Sequence, residues 1–491
     1  MKTSNMFISV FFALVFALNI MVGVFLVNWL DLISVMQFVI VIFVNIGIAY
    51  SFTELILSLF LKKKDLQKLQ VLTRAPSVAL LYTTYNDAIP EVLCTLRKQT
   101  YLNCTIFVLD DSNDKDKKMF LDNCGYKVVR RDHRTGFKSG ALNNWLSLFG
   151  DEYDYFVILD SDSILPESFT EEMLKYAEHP ENKQVAIFQS KTEIWNTDSK
   201  FAGTAAIAAS IWMYKMERLA NDCDMLLPWG HNNFFRTEVV KNIGGFETNF
   251  VSEDFATDLK IISRGYQCRL VDVTSFEGTP QTVQGFTKRT MRWSSGAMQL
   301  LRYSPEYMKS IPFSTGLYLF WTAYFYFIWA IYIPGMLLAV WGHNTTLNDV
   351  FMFIGTGQIL SKIGLIQLVL ISFYLTYFLL LNLPIALKLG IAKSFVKSIP
   401  LNAATSFYMM IPLVKTQIKT FFGRKPIFEV TEKGFHKVSL LRILSEMKLA
   451  LFCVFTPHRH NLESCCSTFQ LVLVPVIYRK PFSNIHFTNP K

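Results

Sequence analysis

The chain has 491 residues, of which 51% are hydrophobic and only 18% are charged, so its composition disfavours an ordinary soluble protein and predicts a membrane protein. Its net charge of +9 does not indicate nucleic-acid binding, because many Lys and Arg residues flank apolar segments, where anionic lipid headgroups are the simpler partner. The eight cysteines form neither a Cys-x-x-Cys pair nor a Cys/His zinc spacing, so we expect them to be reduced and without function.

Two long apolar segments begin the chain, at 6–28 and at roughly 32–61. Each is long enough to cross a bilayer, and the first exceeds a usual signal-peptide core and lacks a small-residue cleavage site. Three lysines at 62–64 follow the second segment, and positive charge marks the cytoplasmic side of a membrane helix. We therefore expect two uncleaved transmembrane helices within residues 1–64.

Residues 75–293 have short apolar runs, rich in Val, Ile, Phe and Tyr, with helical stretches between them. This alternation predicts a mostly parallel α/β sheet, in which ligands bind at the carboxyl ends of the strands. Each acidic site alone is equally well explained by turn and helix-cap residues, but their joint order indicates function. The sites are YTTYND at 82–87, LDDSND at 109–114, ILDSDS at 158–163 and VSEDFATD at 251–258.

Asp160 and Asp162 form an Asp-x-Asp pair at the end of one predicted strand. Two carboxylates in this spacing on an extended segment point to one side, and oxygen ligands suit Mg²⁺ or Mn²⁺ with substrate phosphates. The chain has no Gly-x-x-x-x-Gly-Lys-Ser/Thr loop, which disfavours a P-loop ATPase. The pair therefore predicts a divalent metal that neutralises a nucleotide diphosphate as it leaves.

Two basic segments accompany the acidic sites. In RDHRTGFKSGALNN, 131–144, Lys138 lies between glycines that allow close approach to phosphate. In KRTMRWSSG, 288–296, Arg289 and Arg292 could hold a diphosphate, and Trp293 offers a flat face to a sugar ring. The competing interpretations are a solvated loop for the first segment and an interfacial Trp/Arg anchor for the second.

The chain after residue 293 becomes apolar again. We expect an amphipathic interfacial helix at 294–312 and channel helices within 313–427, with spanning segments at about 317–341 and 363–387. An apolar run at about 399–414 is interrupted by Pro400 and Pro412. If the loops before and after it are both cytoplasmic, this run cannot cross the membrane once. It is therefore re-entrant or interfacial, or a neighbouring segment is misassigned. Residues 435–491 are expected to associate with the membrane.

The order of these motifs resembles the membrane-embedded family 2 glycosyltransferases of the cellulose synthase and hyaluronan synthase type, nearest to bacterial cellulose-synthase-like glucan synthases. The resemblance covers residues 76–434 and implies a cytosolic α/β GT-A domain inserted between α-helical transmembrane segments. The matching residues are Asp110, Asp160 and Asp162, Ser252–Asp254 and Arg289–Trp293. FEVTEK at 428–433 matches the gating-loop motif of cellulose synthases, which we place at 428–434.

The resemblance implies a role for each matched residue. Asp254 would be the general base toward the acceptor hydroxyl, with Glu253 and Trp293 binding the acceptor, and Asp160 and Asp162 would hold Mg²⁺ or Mn²⁺. The UDP-sugar donor would be bound by Tyr85, Asp87, Asp110, Lys138, Asp160, Arg289, Arg292, Thr431 and Lys433.

Three features depart from the family pattern: Arg289 stands where relatives carry Gln, Ser252 replaces Thr, and WGHNNFF at 229–235 replaces a smaller acceptor loop. The implied enzyme is a plasma-membrane, multi-pass synthase with a cytoplasmic catalytic domain. It would polymerise glucose from UDP-glucose, with inversion, into an exported capsular or extracellular polysaccharide.

Two alternatives stay open beside this synthase. One is a non-processive enzyme that adds a single sugar to a lipid carrier, which the gating motif and the flanking apolar segments disfavour. The other is a transporter with a regulatory domain, which predicts ionisable residues inside the spanning segments. Such residues are few, and Glu54 is one of them.

Overall fold

The computed structural model describes residues 3–25, 32–303, 305–326 and 382–423. Its centre is a seven-stranded sheet. The strands are β1 (Val78–Thr84), β2 (Cys104–Asp110), β3 (Lys127–Val129), β4 (Tyr155–Leu159), β5 (Val185–Ile194), β6 (Asn233–Arg236) and β7 (Gln267–Glu277).

The strand order is β3–β2–β1–β4–β6–β5–β7. Strand β6 runs antiparallel to both of its neighbours, β4 and β5, whereas the remaining pairs are parallel. The predicted mostly parallel α/β sheet is thus confirmed as a mixed sheet with one reversed strand. The reversal matters for function, because the residues that precede β6 reach the edge where the parallel strands end.

Helices cover both faces of the sheet, and the side chains of β1 show why. Successive residues of a strand point to opposite faces, so Leu80 and Tyr82 pack in one hydrophobic core and Ala79 and Leu81 pack in the other. The helices of this part are α3 (Pro90–Leu96), α4 (Lys115–Asn123), α5 (Phe137–Phe149), α6 (Phe169–Ala177), α7 (Lys200–Met213), α8 (Ala220–Asp222), α9 (Thr237–Asn242) and α10 (Glu253–Ser263).

Two helices precede the sheet, α1 (Thr3–Phe25) and α2 (Leu32–Phe60). They pack on each other, and the Asn45 amide donates a 3.1 Å hydrogen bond to Asn19. In the described part of the chain, Thr3–Val24 has the length and apolar composition to cross a membrane, and Asn45–Phe60 is a shorter apolar helix. Beyond α2, the Lys64 backbone N–H donates to Asp222 at 2.9 Å, which joins these helices to the sheet domain.

The helix after the sheet, α11 (Val283–Tyr303), passes through the predicted domain boundary at 293/294 without a break. Residues 294–300, within the segment predicted as an interfacial helix, are buried. The small residues explain this burial: a Cβ on Gly296 would lie 1.9 Å from the Ser252 hydroxyl, so only glycine permits the contact with the start of α10. Only α12 (Pro305–Ser310) follows separately within the predicted 294–312 segment.

The last described helices are α13 (313–326), α14 (Leu383–Lys388) and α15 (Ala392–Phe421). Pro400 and Pro412 lie inside α15, so the expected interruption of the 399–414 run is not observed. Helix α15 packs against α7 and α11. The remaining predicted channel segments, the gating motif with Thr431 and Lys433, and the tail 435–491 lie outside the described residues.

Candidate active site

A cavity of about 320 Å³ lies at the edge of the sheet where β1, β4, β5 and β7 end. Predicted site residues from five separate segments meet there, as expected for the carboxyl ends of parallel strands. Those that line it are Tyr85, Asp87, Lys138, Asp160, Asp162, Glu253, Asp254, Arg289, Arg292 and Trp293.

Lys138 connects the two sides of this cavity. Its ammonium group donates to Asp160 at 2.6 Å and to the carbonyl of Gly230 at 3.0 Å. Gly136 precedes the helix in the left-handed region, at φ 70°, which places Lys138 in the first turn of α5. Lys138 thereby links the Asp-x-Asp pair to the loop that enters β6.

Asp160 and Asp162 both face the cavity, and Gly278 packs against the second of them: a Cβ on Gly278 would lie 2.7 Å from the Asp162 carboxylate. The described residues contain no group of three His, Cys, Asp or Glu side chains that could bind a metal ion by themselves. Two carboxylates beside open space fit a hard cation that takes its other ligands from phosphate and water. This donor set therefore suits Mg²⁺ or Mn²⁺ bound together with a diphosphate.

Asp254 lies in the first turn of α10 and closely approaches the loop before β6. A Cβ on Gly230 would lie 2.3 Å from the Asp254 Cβ, and Gly230 adopts φ +74°. Burial raises the pKa of Asp254, and the 2.8 Å hydrogen bond from the Phe255 N–H opposes that rise. Burial also raises the pKa of Glu253, and the charge of Asp254 adds to the effect. A raised pKa makes a carboxylate a better general base.

Tyr85 and Asp87 form the wall at the end of β1, and they differ in what they can offer. Asp87 accepts hydrogen bonds from the Thr84 hydroxyl at 2.9 Å and the Ser161 hydroxyl at 2.6 Å, so it ties β1 to the end of β4. The ring of Tyr85 lies 3.5 Å from the Arg134 guanidinium. Asp87 thus shapes the wall, whereas the Tyr85–Arg134 pair presents a flat, cationic surface.

The structure places Asp110 differently from the sequence prediction. Its carboxylate is fully buried and accepts from Arg130 at 2.7 Å, and it does not line the cavity. The next residue, Asp111, lines the cavity and is held by Arg131 at 2.6 Å. Consecutive residues at a strand end point to opposite sides, so only one of the two carboxylates can face the cavity. A donor-binding role therefore fits the position of Asp111 and not that of Asp110.

Sequence reasoning missed a histidine–glutamate pair. His231 precedes β6, Glu277 ends β7, and their side chains lie 3.0 Å apart on the cavity wall. Burial lowers the pKa of His231, but the adjacent Glu277 carboxylate raises it, and the net shift is upward. The Trp-Gly-His segment stood out in the sequence only as a departure from the family, and nothing local marked Glu277.

Sequence reasoning also missed most of an aromatic wall, which we call the tryptophan cluster: Trp212, Trp229 and Trp293. The Trp212 ring stacks on Trp293 with centroids 5.7 Å apart and contacts Trp229 at 4.4 Å. Arg289 lies 4.8 Å from the Trp293 ring and donates to Thr279 at 3.3 Å. Trp293 belongs to a motif and Trp229 begins the WGHNNFF segment, but only contacts between distant segments reveal that Trp212 joins them.

Comparison with known proteins finds similarity to glycosyltransferases. The family model described as glycosyl transferase family group 2 matches residues 155–411, more than half of the chain. Glucans biosynthesis glucosyltransferase H of Rhodopseudomonas palustris is 25% identical over 305 residues, covering 54% of this chain and 41% of that protein. The UDP-forming cellulose synthase 1 catalytic subunit of Komagataeibacter xylinus is 23% identical over 239 residues, covering 46% and 31%. The chain thus spans less than half the length of these relatives.

Two solved structures also resemble the chain. The mannosyltransferase PcManGT of Pyrobaculum calidifontis, solved with GDP-Man and Mn²⁺, gives a TM-score of 0.46 at 18% identity and covers 69% of this chain and 98% of its own. S. aureus TarS 1–349, solved with UDP, gives a TM-score of 0.29 at 15% identity and covers 45% and 65%. The ligands named are those of the solved proteins.

Proposed function

The chain belongs to glycosyl transferase family group 2 and has a GT-A-like mixed α/β sheet, and we propose that it is a processive, inverting β-glycosyltransferase. It transfers sugars, most consistently glucose from UDP-glucose, to a growing polysaccharide that it exports across the plasma membrane. The chain is a glycosyltransferase related to glucan and cellulose synthases, as the family match and the named relatives support.

One observation carries the proposal. A candidate base and a candidate diphosphate site lie in a single cavity, joined through Lys138 and Gly230. Gly230 packs on Asp254, and its carbonyl accepts from Lys138, which also binds Asp160. Displacement at an anomeric carbon needs a base on one side of the sugar and stabilisation of the leaving group on the other. Candidates for both roles line this cavity, which supports the proposal.

The reaction follows from these positions. Asp254 accepts the proton of the acceptor hydroxyl, whose oxygen attacks the anomeric carbon while the bond from that carbon to the diphosphate oxygen breaks. An α-linked UDP-sugar then gives a β-linkage, with no covalent enzyme intermediate. Lys138 and Arg292 stabilise the departing diphosphate charge. A divalent ion held by Asp160 and Asp162 would supply Lewis-acid neutralisation of the same charge.

The nucleotide would bind toward the end of β1. The Tyr85–Arg134 surface and Asp111 line this part of the cavity, and a stacked ring and a carboxylate suit a nucleobase and its N–H groups. Thr431 and Lys433 of the gating motif would close over the diphosphate and exclude water, which would favour transfer over hydrolysis.

Processivity and export are supported by what borders the acceptor side. Glu54 of α2, a helix that we predict to lie in the membrane, lines the same cavity as Asp254. An acceptor leaving the catalytic residues would therefore meet the N-terminal helices directly. A non-processive enzyme that adds one sugar to a lipid carrier is the second candidate, because a lipid acceptor would also approach along such helices.

The decisive experiment is transfer in membranes that contain the full chain. Each radiolabelled UDP-sugar is supplied separately with Mg²⁺ or Mn²⁺, and the product is sized and digested with linkage-specific glycanases. We expect a long, β-glucanase-sensitive polymer from UDP-glucose that Asp254→Asn reduces by about 10³-fold or more. Asp151→Asn, which changes a carboxylate that is 91% exposed, is the matched control and keeps activity. A product with one added sugar that extracts into organic solvent would contradict processivity.

A further inference from the structure

We propose that Trp212 and the ion pair Glu54–Lys215 form a binding subsite for the second sugar of a neutral glycan acceptor, the unit next to the one that reacts. The inference rests on the proposed function, since it names the acceptor of the same cavity. It adds three residues for which neither the motifs nor the compared proteins provide a role.

The aromatic part of this subsite extends the wall at Trp293. Trp212 lies between Trp293 and Trp229, in contact with both rings, and all three line the cavity. Ligand sites for sugars combine apolar aromatic surface with a few well-placed polar groups. If the reacting sugar lies at Trp293, the unit attached to it lies along Trp212.

The polar part of the subsite lies one helical turn beyond Trp212. Lys215 belongs to the π-helical turn Tyr214–Leu219 that continues α7, and such turns are frequent at functional sites. Its ammonium group lies 3.5 Å from the carboxylate of Glu54 in α2. Both residues line the cavity and are less than a tenth exposed, at 7% and 5%.

A buried ion pair of this kind gives little net stability, because desolvation of both charges offsets their attraction. Its position on a cavity wall therefore indicates a use in recognition. The two charges compensate each other, so together they offer a donor and an acceptor without a net field. Sugar hydroxyls both donate and accept and so match the pair, whereas a uronate would find no net positive charge there to offset the desolvation of its own charge. The ligand class that fits is an uncharged glycan.

Trp229 adds a further donor to the same wall. Its indole N–H is buried and has no hydrogen-bond partner among the described residues. Buried N–H groups are normally paired, because leaving one without a partner is unfavourable. A sugar hydroxyl in the cavity would satisfy it, which is a second, independent indication of a polar ligand against the tryptophan cluster.

The test compares acceptors of different length with the full chain in nanodiscs. Transfer from UDP-glucose to β-linked gluco-oligosaccharides is measured from mono- to tetrasaccharide, and the ratio of kcat/KM for tetrasaccharide over monosaccharide is the readout. We expect Trp212→Ala, and separately the double variant Glu54→Leu/Lys215→Met, to lower this ratio by about tenfold. The double change leaves no single charge buried, and Trp212→Phe should restore most of the ratio.

A matched ion pair outside the cavity provides the control. Lys260 and Glu247 lie 2.9 Å apart with side chains 17% and 15% exposed, and neither lines the cavity. Glu247→Leu/Lys260→Met should leave the ratio as it is in the unaltered protein. Equal losses for both acceptors in Trp212→Ala would mean a structural role and would overturn the subsite.

Binding measured without chemistry separates this inference from the proposed function. Tryptophan fluorescence should report tighter binding of the neutral tetrasaccharide than of glucose, and Trp212→Ala should remove the difference. If no UDP-sugar is transferred, the proposed function is wrong. The binding preference for tetrasaccharide over glucose would still show whether the subsite exists. No preference for the tetrasaccharide, or tighter binding of a uronate-containing oligosaccharide, would overturn the inference.

Discussion

The two ends of the cavity are built in different ways. The donor end consists of side chains at or near strand ends, held by short charged hydrogen bonds such as the one from Lys138 to Asp160 at 2.6 Å. The acceptor end consists of aromatic rings and one ion pair from separate helices and from the loop before β6, in contact but with few hydrogen bonds. The donor end comprises Tyr85, Arg134, Lys138, Asp160 and Asp162, and the acceptor end comprises Glu54, Trp212, Lys215, Trp229 and Trp293.

This difference predicts which kinetic property a substitution at each end should alter. Charge compensation at the donor end depends on exact placement of a few groups, so a single substitution there should impair the chemical step. The acceptor end spreads its contacts over several rings, so single substitutions there should change acceptor affinity by smaller factors. Gly230 lies between the two ends, so a substitution there shows whether a change at one end also affects the other.

The largest effect should come from the metal at the donor end. Removing divalent ions with a chelator should lower transfer by about 10³-fold or more, since a metal supplies several kcal/mol of charge stabilisation. Mn²⁺ should restore it. In Asp162→Asn, the Mn²⁺ concentration needed for restoration should rise by about tenfold or more, and electron paramagnetic resonance should show weaker Mn²⁺ binding in the presence of UDP.

The control for that variant is Asp272→Asn, which changes a carboxylate that is 71% exposed and paired with Lys191 outside the cavity. Its metal requirement should match that of the unaltered protein. Full activity in chelator would contradict the metal role assigned to Asp160 and Asp162, and would leave Lys138 and Arg292 to stabilise the leaving group.

An intermediate effect is expected from Gly230→Ala. The added Cβ would lie 2.3 Å from the Asp254 Cβ, so the base must move. A misplacement of a catalytic group by about 1 Å can lower the rate by about 10²-fold. The measurement is kcat for transfer, alongside thermal unfolding of the same protein. Because Gly230 also accepts from Lys138, donor affinity should weaken in the same variant.

Gly265→Ala is the matched control, since Gly265 has φ +87° but no heavy atom within 4 Å of an added Cβ. It carries the same backbone strain, about 1–2 kcal/mol, without touching the site. Stability should fall in both variants and kcat only in Gly230→Ala. Equal kcat values in the two variants would show that Gly230 does not position the base.

The smallest effect should come from Arg289→Gln, which changes the side chain next to Trp293 of the acceptor end. The guanidinium lies 4.8 Å from the Trp293 ring, and a cation–π contact contributes about 0.5–1 kcal/mol, so the KM for an oligosaccharide acceptor should change by about threefold. Lys288→Gln removes a neighbouring exposed charge and should leave that KM unchanged. A loss of kcat with unchanged KM would instead place Arg289 at the diphosphate.

The sequence by itself determined the sheet and most of the donor end. Short β-branched and aromatic runs that end in Asp predicted the strands, and parallel strands bring such ends to one edge, where Asp160, Asp162 and Lys138 indeed meet. Asp254 was singled out by a different route, the resemblance of Ser252–Asp254 to a family motif, since local pattern alone fits a helix start equally well. The strands and their Asp-rich ends follow from the local sequence pattern and from the meeting of parallel strand ends at one edge, so no long-range contact was needed to infer them.

Only the tertiary structure decided the rest. Whether Asp110 or Asp111 faces the cavity depends on the register of a strand end, and a shift of one residue exchanges the two faces. His231 reaches the site because β6 runs antiparallel, a direction that its short run of residues does not encode. Trp212 meets Trp293, and Lys215 meets Glu54, through packing between segments far apart in the chain, which no local pattern specifies.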